Sequence, residues 1–93
     1  MSAWIERPEI PTGIIEAETL SIIDAVNRRI AKHGRGAFVG PHEGLGVIME
    51  EVHELVDAVK ANDPDEVEKE AQDILVGCLW LIASSRLRRK VIS

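Results

Sequence analysis

A chain of 93 residues with 45% hydrophobic content is long enough for one domain with one modest core, which excludes a disordered segment. Its net charge of -5 excludes a general nucleic-acid coat, because a duplex binder needs excess Lys and Arg to displace counterions. Two Trp, one Phe and no Tyr, set against abundant Ala, Ile, Leu, Val and Glu, favour an all-α fold over a sandwich or barrel. No apolar run approaches the ~20 residues of a membrane span, and the amino terminus has no basic region leading into an apolar core, so a soluble protein with no membrane partner is expected. The single cysteine, Cys78, lies in an apolar run, reads as a buried structural thiol, and fits a reducing, cytoplasmic setting.

In chain order, residues 1–13 carry Pro8, Pro11 and Gly13 and read as an extended lead-in, with Trp4 and Ile5 as docking residues. Over 15–32, Ile15, Thr19, Ile22, Ile23, Val26 and Ile30 recur at three- and four-residue steps, which predicts an amphipathic helix. Basic residues crowd its last turn, and Gly34 is a left-handed stop. The glycine-rich stretch 33–42 is a connecting loop. A second helix is expected over 43–61, with Leu45, Ile48, Val52, Leu55, Val56 and Val59 as its apolar stripe. Asn62 and Asp63 end it, and Asp63, Pro64 and Glu66 have the order of a helix cap, a first helical residue and a capping-box partner. The third helix, 64–88, then folds back on the second as an antiparallel hairpin within a single domain spanning 1–93. Its segment from Ile74 to Ala83 has no charge and must be covered on every side, which predicts a homo-oligomeric helical bundle. Arg86 to Lys90 read as a solvated basic end or a subunit contact, with nucleic acid an unlikely partner.

Two acidic clusters dominate the hairpin: Glu50, Glu51 and Glu54 on one arm, Glu70 and Asp73 on the other. In an antiparallel hairpin, residues equidistant from the turn lie side by side. The numbers of the pairs Glu51/Asp73 and Glu54/Glu70 add to the same total, so both pairs fall at matching heights, roughly 12 to 17 Å from the turn at about 1.5 Å per residue. Of 16 acidic residues, these five hold the whole excess, since the other eleven balance the 11 Lys and Arg.

Acidic residues three apart on a helix usually form a solvated face paired with lysine. Here Lys60 and Lys69 are the only Lys or Arg between Gly44 and Ser85, so a hard divalent cation is the better neutraliser of four converging carboxylates. Glu50, about 100° round the helix from Glu51, is placed to hold a second ion or orient a water.

This pattern, EExxE followed after a spacer by ExxD, resembles the signature of the MazG-like all-α nucleoside triphosphate pyrophosphohydrolases. The resemblance covers roughly 43–87. It implies a homodimer or homotetramer that binds magnesium, with manganese able to substitute, and hydrolyses a nucleoside triphosphate to the monophosphate and pyrophosphate by water attack at the α-phosphorus. It makes Glu51, Glu54, Glu70 and Asp73 metal ligands, Glu50 a second-metal ligand or water-orienting base, and Glu50 and Glu51 the catalytic pair. Such chemistry also needs cations for the remaining phosphates, and Arg28, Arg29, Lys32 and Arg35 are the available cluster, although bases at a helix C-terminus are common without a ligand. Phe38 can stack on a nucleobase or plug the core, and the core is the preferred reading.

Other readings compete. Related phosphoribosyl-ATP pyrophosphatases typically carry lysine shortly before EExxE, where this chain has Gly46, Val47, Ile48 and Met49. Glu50 and His53 form the ExxH spacing of di-iron bundles, but no second copy occurs in the third helix, which favours His53 as a surface residue or a neighbour of the ligands. The non-enzymatic alternative is a helical oligomerisation module with solvated acids.

Overall fold

The computed structural model describes residues 6–92, with side chains up to Arg89, so the docking expected of Trp4 and Ile5 lies outside the described residues. Three helices follow in order, α1 (Thr12–His33), α2 (Pro41–Lys60) and α3 (Pro64–Ile92). Among the described residues the architecture is all-α, and no helix is long and apolar enough to cross a membrane.

The helix ends differ from the sequence expectation for local reasons. Helix α1 starts at Thr12, three residues before its apolar repeat, because the Pro11 carbonyl accepts the Ile14 and Ile15 amides at 3.0 and 3.3 Å. It stops at Gly34, whose φ of 75° is left-handed and whose N–H donates to the Ile30 carbonyl at 2.8 Å. Helix α2 starts at Pro41, two residues earlier than the expected 43, since proline's fixed φ suits the first helical position after an extended Gly40. Glu43 reaches back to accept the Val39 N–H at 3.0 Å and tethers the loop to this helix start. Helix α3 continues past 88 to Ile92 because neither proline nor glycine follows Arg88 to end it.

The α2–α3 turn sets everything that follows. Asn62 is left-handed, with φ 53°. Its N–H bonds the Val59 carbonyl at 3.1 Å while the Asp63 N–H bonds that of Ala58 at 3.2 Å, the paired closure of a Schellman motif. Asp63 at once caps α3, its Oδ1 accepting the Glu66 N–H at 3.2 Å and its carbonyl the Val67 N–H at 2.9 Å. Two residues therefore end one helix, start the next and reverse the chain.

Helix α2 packs along α3, while α1 packs on α3 and not on α2. The α2 face toward α3 is built from smaller residues than the expected stripe. Gly44 and Ala58 are buried, Ile48, Val52 and Leu55 are half-buried, and Leu45, Val56 and Val59 remain exposed. Close approach explains this, since a Cβ at Gly44 would lie 2.8 Å from Leu81 Cδ1 and 3.0 Å from the Phe38 ring, and one at Gly77 would lie 3.2 Å from Ile48 Cγ1. Phe38, 6% exposed, plugs the open end of the hairpin, and its N–H donates to the buried Ser84 Oγ at 3.0 Å. One turn earlier on α3, Trp80 Nε1 donates to the Gly36 carbonyl at 2.7 Å. Two hydrogen bonds thus pin the connecting loop to α3.

Replacing Gly44 tests the close approach. Alanine gains about 1 kcal/mol of helix propensity against roughly 1–3 kcal/mol of overpacking, so the two nearly offset. Gly44→Val adds two further methyl groups and should lose about 2 kcal/mol in urea unfolding; a variant as stable as the parent would refute the contact.

Candidate metal centre

Glu51 on α2 and Glu70 and Asp73 on α3 each point a carboxylate oxygen to one spot, and the three oxygens lie within 4.8 Å of one another. These residues face each other because the two-residue turn sets the register of the helices. Glu70 is 4% exposed, Glu51 and Asp73 are half-buried. Among the described residues no other group of three His, Cys, Asp or Glu converges in this way.

The remaining acids fall outside this set. Glu54 is exposed and stands at the rim, close enough to Glu70 and Glu51 to share a proton with them. Glu50 is exposed on the next face of α2, and His53 is exposed too, so the ExxH pair does not converge on a centre. The four-carboxylate ring expected from register alone is three carboxylates with Glu54 beside them.

Electrostatics show why this arrangement calls for a positive charge. Burial pushes Glu51 up to about 7, helped by its hydrogen bond with Glu70 and by the charges of Asp73, Glu54 and Glu70. Glu54 is raised by its hydrogen bond with Glu70 and by that residue's charge. Burial pushes Glu70 up as well, but hydrogen bonds with Glu51, Glu54 and Lys69 outweigh it and hold Glu70 below the ordinary range. Of the two, Glu51 is the one pushed toward its protonated form and Glu70 the one held ionised. With both ionised, the buried Oε2 atoms of Glu51 and Glu70 have no hydrogen-bond donor. Orphaned buried acceptors are costly, and a divalent cation at typical oxygen distances of about 2.0–2.6 Å reaches all three carboxylates. The all-oxygen, anionic donor set fits a hard ion.

Beside the acids lies a cavity of about 710 Å³, lined on one side by Glu51, Gln72 and Asp73 and on the other by Arg28, Arg29, Lys32 and His33 of α1. Its volume suits a small-molecule ligand. Of the four bases singled out in the sequence, Arg28, Arg29 and Lys32 line it, while Arg35 is exposed in the loop and does not. Arg29 is positioned by aromatic rings, its guanidinium 3.7 Å from the Trp80 ring centroid and 5.9 Å from that of Phe38, and burial lowers its pKa. Phe38 also lines the cavity, but its burial leaves the ring packed in the core. Sequence reasoning missed His33, Gln72 and Trp80. His33 follows Lys32 in the same helix turn and Gln72 sits inside the ExxD motif, so each had a positional signal; Trp80 had none, because its partners are 44 and 51 residues away.

The fold and site define an all-α protein with a carboxylate centre able to hold a divalent metal next to a basic wall. A family model for the MazG nucleotide pyrophosphohydrolase domain matches residues 40–91, more than half of the chain, and the protein belongs to that family. Neither the curated proteins nor the solved structures returned a match. Family and acidic cluster together support a pyrophosphohydrolase-type activity.

The proton on Glu51 gives a pH signature. Its folded value of about 7 lies above the ordinary 4.5, so between these values the folded chain holds the extra proton. The stability it confers is complete below about pH 4.5 and is lost as pH rises through 7. Glu70, shifted the other way, contributes above its unfolded value and loses its contribution only at lower pH, outside this window. Thermal melts without metal should therefore fall from pH 5 to 8, and the gain on adding a divalent cation should grow over the same range; Glu51→Gln should flatten both trends, and trends unchanged in that variant would remove Glu51 from the centre.

Proposed function

We propose that this protein is a magnesium-dependent nucleoside triphosphate pyrophosphohydrolase, cleaving an NTP or dNTP to the monophosphate and pyrophosphate, with manganese able to substitute. One observation carries the reading: Glu51 and Asp73 of the carboxylate centre face a wall of cations across a nucleotide-sized cavity, and that centre holds two buried oxygens, Oε2 of Glu51 and of Glu70, with no hydrogen-bond partner. An ionic ligand that needs both a metal and direct cation contacts is a polyphosphate.

Glu51, Glu70 and Asp73 would hold the ion, with Glu54 at the rim as a further ligand. When bound, the ion supplies charge neutralisation of the phosphates and a lowered pKa for a bound water. Arg28, Arg29 and Lys32 take the phosphate oxygens that the metal leaves uncovered, and Arg29, already stacked on Trp80, meets them with little loss of side-chain entropy. Water attacks the α-phosphorus, a new P–O bond forms, the bond to the bridging oxygen breaks, and pyrophosphate leaves. Glu51 would take the proton from the water, and Glu50, exposed on the next face of α2, would act on that water only through a second ion or a relay from the solvent side. His33, at the end of the basic wall, adds a donor to the same phosphates.

The single chain also leaves a surface that a second copy would cover. Leu45, Met49, Val56 and Val59 on α2 and Leu75, Leu79 and Ile82 on α3 are each 42–56% exposed. The radius of gyration, 16.4 Å, exceeds the ~12 Å of a compact chain of this length. These observations support a homodimer or homotetramer in which hairpins pack face to face.

Two measurements test these readings. Pyrophosphate release from a panel of canonical and modified nucleotides should require magnesium and fall to background in Glu70→Gln and Asp73→Asn with helix content retained; no release from any nucleotide by folded protein would leave the oligomerisation module as the surviving account. Sedimentation should give at least twice the 10.3 kDa chain mass. Ile82→Asp should lower that mass, and a parent that is monomeric at tens of micromolar would end the assembly proposal.

A further inference from the structure

We propose that Lys69 is a built-in counter-ion of the carboxylate centre, holding Glu70 and Asp73 together in the ion-free protein and giving way when a divalent cation arrives. The inference rests on the metal reading above and assigns a role to a residue outside the ligand set. Lys69 Nζ donates to Glu70 Oε1 at 3.2 Å and lies 3.5 Å from Asp73 Oδ2, so one ammonium bridges two of the three converging carboxylates. It makes this bridge from outside, its side chain 61% exposed, while the Oε2 atoms of Glu70 and Glu51 stay bare.

Helix geometry does not favour the placement. A cation in the second turn of α3 opposes the helix dipole, and lysine preceding its acid by four residues is the weaker order of such a pair. What draws the ammonium in is therefore the negative charge of the centre. A divalent ion on the same carboxylates repels the ammonium and takes over its work of neutralisation. Lysine is suited to leave, being a point charge on a flexible four-carbon stem with solvent around it. The site thus exchanges one positive charge for two and passes through no state with its three acids uncovered.

The test compares manganese binding and ion-free melting in the full chain for the parent, Lys69→Gln, Lys69→Arg and the control Lys60→Gln. Lys69→Gln should bind Mn2+ about two- to fivefold more tightly, the span of an exposed ion pair lost as a competitor, and should melt lower without metal. Lys69→Arg should match the parent in both, and Lys60→Gln should change neither. Equal or weaker Mn2+ binding by Lys69→Gln would overturn the proposal, since a merely orienting lysine would loosen the ion when removed. A parent that binds no Mn2+ would refute the metal reading instead, and a lower ion-free melting point of Lys69→Gln would then show the pairing alone.

Discussion

The register between α2 and α3 is the constraint on which the rest depends. It is fixed at both ends by means that tolerate little slip. At one end a two-residue turn uses Asn62 in the left-handed region and Asp63 as the cap of α3. At the other, Gly44 lies under the side chains of Leu81 and Phe38 and Gly77 under that of Ile48, closely enough to be crowded by an added side chain. Between these anchors the helices run antiparallel side by side, so a slip of one residue would turn Glu51 about 100° away from Glu70 and Asp73.

A centre of three acids is electrostatically costly, and the structure meets that cost in layers. Burial and the neighbouring charges favour the protonated form of Glu51, Lys69 pairs with Glu70 Oε1 and Asp73 Oδ2, and the buried Oε2 atoms of Glu51 and Glu70 are left without a partner. The basic wall is separate, carried by α1 and set back across the cavity. Keeping these cations off the carboxylates matters, because a direct pairing of Arg28 or Lys32 with the acids would neutralise both and leave neither free for a ligand.

Much of this was legible in the sequence. Chain reversal at Asn62–Asp63–Pro64 has strong local chemistry, and the spacing of Glu51 and Asp73 about it placed them together without tertiary information. Periodicity served less well for α2, where Leu45, Val56 and Val59 looked like core but are exposed; the hydrophobic stripe marks a surface to be covered without saying by which neighbour, and small residues such as Gly44 and Ala58 carry no apolar signal. Glu54 matched Glu70 in height but not in depth, since register fixes position along a helix and not how far round it a side chain faces. Lys69 was visible only as a nearby base, and Trp80 under Arg29 is a long-range contact that local pattern cannot contain.

Helix α1 buries no residue. The acid wall thus belongs to a pair of helices locked in register, whereas the base wall belongs to a helix held chiefly by the stack of Arg29 on Trp80 and by half-buried Ile22, Val26 and Ile30. The width of the cavity is consequently a soft coordinate bounded by one hard edge. The carboxylates are held at fixed distances from one another, while the gap to the basic wall can adjust, which separates the geometry of the acidic centre from the width of the cavity beside it within 93 residues.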